Sequence, residues 1–209
     1  MSAPYTIWKH SALSLAAAIS LGMTLQSCTN MEGTYSDPDK VEIVDDKWNE
    51  TDANKTAEIL IRSMLKNDWV EEHKTTGKGK PYVLIDELRN DTEEHIDTNS
   101  LVKAVQTELV KSGKIRFVDG ERRDQILKEI KYQQSGEVNA KSAKRRGRQV
   151  GADYLLGGSI SSQVHKNDSG KKTVSYKTTL TLTDLETAVV VWMEDYQLKK
   201  EFKRSRLGL

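Results

Sequence analysis

The chain has 209 residues, 36% hydrophobic and 30% charged, with Lys+Arg 32 against Asp+Glu 31 and a formal net charge of +1. That length holds one domain plus extras or two small ones, and the balanced charge lacks the basic surplus of a nucleic-acid binder. The single cysteine, Cys28, excludes an internal disulfide framework and a multi-thiolate metal site.

Residues 11–25, SALSLAAAISLGMTL, carry no ionisable side chain, and Lys9 precedes them. The run is too short for a helix spanning a hydrocarbon core of ~30 Å. It suits the h-region of a signal peptide, because the chain turns abruptly polar after Cys28. Leu25-Gln26-Ser27-Cys28 resembles a bacterial lipobox, with a branched apolar residue at −3 and a small one at −1. Gln26 departs from the small or hydroxyl residue usual at −2. The resemblance implies a diacylglycerol thioether on Cys28, cleavage before it and acylation of the new amine, with no other cofactor. More than one acyl chain makes such anchoring stable, at ~0.8 kcal/mol per buried CH₂. Thr29 stands where Asp would favour inner-membrane retention in enterobacteria, so by analogy the destination is the outer membrane, on its periplasmic face. These features divide the chain into a signal peptide (1–27), a lipidated tether (28–47) and a globular domain (48–209). From Cys28 to Trp48 the tether reaches roughly 70 Å fully extended and about 25 Å as a flexible coil.

Residues 51–67 place Ala57, Leu60, Ile61, Met64 and Leu65 on one stripe, the period of an amphipathic helix. TTGKGKP (75–81) breaks the chain, and YVLIDEL (82–88) reads as a short buried strand. RNDTEEHIDTNS is a loop that caps a helix carrying Leu101, Val102, Val105 and Leu109 and stopping at Gly113. IRFV (115–118) is the next strand, so strand, helix and strand form a βαβ unit with parallel strands. Two more helices are expected: 121–134, with Ile126, Leu127 and Ile130 inward, and 139–150, with Ala140, Ala143, Gly147 and Val150 as a narrow packing face.

The last third changes period. TVSYKTTLTLTD puts Val174, Tyr176, Thr178, Leu180 and Leu182 on one side of a half-buried strand. ADYLLGGSISSQV precedes it and AVVVWMEDYQL follows, completing an antiparallel meander. The fold class is α/β (α+β): a single mixed sheet of four to five strands flanked by about four helices.

No catalytic constellation emerges. His10, His73, His95 and His165 lie far apart without HxxxH or HExxH spacing, so no metal site is expected. TTGKGKP lacks the phosphate-loop spacing, and GGSIS (157–161) is no nucleophile elbow but marks a bulge or a close backbone approach. Asp91, Glu93 and Glu94 have no acid–base partner and read as a polar turn. KSAKRRGR (141–148) concentrates five cations; it is either a solvated helix face or a docking patch for an acidic protein surface or anionic lipid.

The order VLIDELRNDTEEHID, KIRFVDGERRDQILKE, GRQVGADYLLGGSI and YKTTLTLTDLETAVVVWMEDYQLKK is similar to the LpoB family over about residues 55–200, with the lipobox where that family has one. The resemblance implies a fold like the N-terminal domain of TolB and a non-enzymatic role. That role is a lipid-held domain that binds a class A penicillin-binding protein and stimulates peptidoglycan synthesis, with no nucleic-acid or small-molecule substrate. Cys28 is the one functional residue carried over; Arg145, Arg148, Tyr154, Glu94 and His95 are expected on partner-binding surfaces. The enterobacterial form has a long proline-rich arm, whereas this tether has Pro38 alone. A structural or secretion-associated envelope lipoprotein, related to curli-secretion or Tol components, is the competing reading.

Overall fold

The computed structural model describes residues 45–167 and 170–203. Cys28, the signal segment and most of the tether therefore lie outside the described residues.

Helix α1 (Glu50–Met64) starts at a reciprocal cap. The Asn49 side chain accepts from the Asp52 backbone N–H, and the Asp52 carboxylate accepts from the Asn49 N–H. Its buried stripe begins with Ala53 and Ala57 and widens to Leu60, Ile61 and Met64. A short helix not anticipated from the sequence, α2 (Trp69–Thr75), follows. Trp69 explains it: the indole is buried and its Nε1–H donates to the Met64 carbonyl at 2.8 Å, closing the open end of α1.

Strand β1 (Tyr82–Asp91) leads through α3 (Thr98–Ser112) to β2 (Arg116–Val118). β1 and β2 are parallel, as the βαβ reading requires. Asp97 caps α3, and Gly113 ends it at φ 62, a left-handed conformation that costs glycine little. Leu101, Val102, Val105 and Leu109 are all buried.

β1 is longer than expected because its register shifts between Ile85 and Leu88, where Asp86 and Glu87 bulge. The bulge returns Leu88 to the buried face, which strict alternation from Val83 and Ile85 would have forbidden.

Helix α4 (Arg123–Gln133) forms, but its expected inward face does not close. Ile126 and Leu127 are 42% and 39% exposed, and Ile130 is buried outside the main core. The helix expected at 139–150 is absent; the segment forms turns. Two physical reasons are visible. Lys141/Arg145 and Lys144/Arg148 would stack like charges at i,i+4, and Gly147 sits at φ 75.

β3 (Tyr154–Lys166), β4 (Lys171–Asp184) and β5 (Val190–Lys203) form the antiparallel meander. The five strands run in the order β2-β1-β3-β4-β5, with β3 parallel to β1, so the sheet is mixed. Along β4 every even residue from Val174 to Leu182 is buried, Thr178 included. α1 and α3 pack on that side with Leu156, Ile160 and Trp192. At Gly158 a Cβ would stand 2.2 Å from the Thr179 carbonyl oxygen. Gly158 thus serves a close strand approach, with the bulge across from it on β1.

Candidate interaction surfaces

The helices leave the other face of the sheet largely open. Odd residues of β3, β4 and β5 point there, so register defines rows across it. Leu155 faces Thr183; Gly157 faces Thr181, which faces Met193; Ser159 faces Thr179, which faces Asp195. On the β1 side Arg89 pairs with Ser159 and Asp91 with Ser161. The result is a shallow trough of about 1090 Å³, with Gly157, Ser159 and the threonines as its floor and Asp86 and Met193 among its walls. Small side chains at the middle keep it concave, and Met193, 63% exposed, supplies an apolar contact. The sequence points to two parts of this surface, strand 153–163 and the segment 89–97, but not to its joining with β4 and β5. Its sequence signal was the polar half of TTLTLTD, which reads as ordinary solvent-facing alternation until the register shows its neighbours.

A second construction fastens the N-terminal approach to the meander. Lys200, 5% exposed, pairs with Asp52 at 2.5 Å and donates to the Lys47 carbonyl at 2.5 Å. Lys172 pairs with Asp46. The Tyr176 hydroxyl lies 2.8 Å from both Glu94 carboxylate oxygens and 2.9 Å from the Asp46 carbonyl. A phenol carries one proton, so it donates to one of these acceptors at a time. Burial, then the hydrogen bond to Glu94, push the Tyr176 hydroxyl well above the ordinary tyrosine range. Trp48 lies edge-on to the Tyr176 ring, with centroids 5.5 Å apart. Asp46 and Lys47, assigned to the tether from sequence, are thus held by side chains of β4 and β5.

The expected partner-binding residues do not converge on one patch. Glu94 and His95 follow β1, with Glu94 half-buried beneath Tyr176 and His95 exposed. Arg145 and Arg148 are exposed and outside any helix, on either side of a turn at 146–147. Tyr154 begins β3, at the opposite end of the parallel strands from Glu94, and it is buried. Its alternating position places it on the helix side, where the ring lies 5.0 Å from that of Trp69. Its hydroxyl lies 3.0 Å from His73 Nδ1. Burial first, then the Asp184, Asp153 and Glu72 charges, raise that hydroxyl above its usual range. His73 is buried too; its Nε2 has no hydrogen-bond partner and stands 3.9 Å from Asp153, too far to bond.

Among the described residues no group of three or more His, Cys, Asp or Glu side chains is arranged to hold a metal ion. None of the described helices is long and apolar enough to cross a membrane.

A family model described as peptidoglycan-synthase activator LpoB matches residues 52–198, well over half the chain. The chain belongs to the LpoB family. The matched span runs from early α1 to late β5 and so takes in the open sheet face and the Tyr176–Glu94 cluster. Solved LpoB structures resemble the chain at low identity. The LpoB C-terminal domains from Salmonella enterica and Escherichia coli are each 19% identical, with 70% of this chain and 98% of theirs covered and a TM-score of 0.45. The NMR structure of Escherichia coli LpoB is 14% identical, covering 85% of this chain and 87% of that one, with a TM-score of 0.42. No curated protein sequence matches.

Proposed function

We propose that this LpoB-family chain is an outer-membrane lipoprotein, anchored through Cys28 on the periplasmic face. In this reading its domain binds and activates a class A penicillin-binding protein. The observation that carries it is the match to the activator family across residues 52–198, most of the folded domain. The LQSC segment supports the anchor, because a sole cysteine closes an apolar leader. The domain acts by contact and not by turnover. A tether raises the local concentration of a modest-affinity domain, so the contact need not be tight.

The open sheet face is the surface we assign to the synthase. Its concave floor of glycine, serine and threonine admits a protruding element, and its rim offers Asp86, Arg89 and Met193 for contact. A glycan-polymerisation assay with the host's class A synthases in detergent tests the reading. The protein is expected to stimulate polymer formation severalfold. Thr181→Arg, which fills the trough from the solvent side, is expected to raise the protein concentration needed for half-maximal stimulation at least ~10-fold with the fold intact, since one blocked contact at an interface centre costs about 2 kcal/mol or more of binding. No stimulation of any host synthase by the wild-type chain would defeat the activator role. Undiminished stimulation by the variant would remove the trough from it.

A further inference from the structure

The excursion from Arg123 to Val150, between β2 and β3, is nearly all solvent-exposed; Ile130 alone in it is buried. It holds eight Lys and Arg against Asp124, Glu129 and Glu137, a surplus of five. The whole chain is +1, so everything outside the excursion sums to minus four. Among the described residues, none of the eight cations forms an ion pair. Exposed apolar side chains accompany them: Ile126, Leu127 and Tyr132 between cations, and Val150 just after the last. Ile126, Leu127 and Ile130 fall on one face of α4, and no core element covers the first two.

We infer that this excursion is a membrane-contact surface that lays α4 and the following basic turns on an anionic bilayer. A basic helix with an uncovered apolar face, followed by clustered cations, is the pattern of an interfacial segment. The charges attract an anionic headgroup layer, and the apolar side chains insert at its boundary. A folded acidic partner is the less suitable occupant. It would present carboxylates at fixed points, whereas among the described residues side chains hold only the backbone of Lys141 and Lys144 and leave every ammonium and guanidinium of the excursion without a hydrogen bond. The bilayer as a setting rests on the lipid-anchor reading above; the surface itself rests on the excursion alone.

The test is flotation of the full chain with vesicles of phosphatidylglycerol mixed into phosphatidylcholine, compared with phosphatidylcholine alone. The chain carries Cys28→Ala, so that no acyl anchor saturates binding to both, and the difference between the two reports the basic surface. This chain is expected to bind the anionic vesicles at least ~10-fold better, and the preference should vanish near ~0.5 M salt, where screening is short-ranged. Arg145→Gln, Arg146→Gln and Arg148→Gln together should abolish the preference, and Ile126→Ser with Leu127→Ser should weaken it. Circular dichroism checks the fold of each variant. Equal binding of the Cys28→Ala chain to both vesicles overturns the inference. So does a triple-arginine variant that keeps the anionic preference but no longer captures the synthase in detergent, which would give the patch to an acidic protein. Polymerisation in detergent, without a bilayer, reports on the activator reading separately.

Discussion

Lys200 and Asp52 form an ion pair with side chains only 5% and 10% exposed, joining the last strand to the first turn of α1. Removing one partner from such a pair leaves an uncompensated buried charge, which costs about 3–5 kcal/mol. Asp52→Ala is therefore expected to lower stability by that order in urea denaturation, more than the loss of a cap alone. Asp46 acts in the same region. The hydrogen bond from Lys172 holds the Asp46 carboxyl below the usual carboxylate range, against the opposing effect of burial. A depressed folded-state pKa means that the contribution is complete above the ordinary aspartate value, about 3.9, and is lost as pH falls through the lower folded value. NMR of Lys47 and Trp48 amides should show the 46–48 segment loosening from the meander in that acid window. Lys172→Met should remove the transition while the core strands keep their shifts.

At the scale of elements, burial separates two helices that look alike in sequence. Both α3 and α4 carry apolar residues at helical spacing, but α3 packs on β1 while α4 leaves Ile126 and Leu127 largely open. Leu109→Ala is expected to destabilise by about 2–5 kcal/mol through cavity formation. Ile126→Ala should stay within about 0.5 kcal/mol, as for surface substitutions generally. Equal losses in chemical denaturation would mean that α4 belongs to the core. The βαβ unit, the meander and the stop at Gly113 were all legible, since each depends on a local period or turn residue. The bulge at Asp86 and Glu87, the short α2 and the missing helix at 139–150 were not. Each is decided by distant partners or by like charges that periodicity counting ignores.

At the scale of the molecule, the tether and the domain have separable roles in the proposed activator. If reach limits the encounter, deleting residues 31–40 should reduce synthase activation in cells, measured as new peptidoglycan incorporation, while leaving stimulation in detergent unchanged. A deletion without effect in cells would show that the partner meets the domain close to its anchor. For the candidate surfaces the legibility was uneven. Arg145 and Arg148 were recognisable as an exposed cluster because five cations in a short run cannot be buried. Tyr154 was not recognisable as core, because GADYLLGG shows neither its strand's facing nor Trp69 waiting beneath it.

By itself the sequence determined the alternation that makes β4 one-sided, the helical stripes of α1 and α3, and the family to which the chain belongs. These follow from nearest-neighbour geometry and residue order. Only the tertiary structure decided the rest: that β3 lies parallel beside β1, that the polar rows of three strands and the β1 bulge meet in one trough, and that Asp46 and Lys47 are fastened to the meander. Such features arise when residues far apart in the chain are brought side by side, and strand order and register, which no local pattern encodes, choose the neighbours.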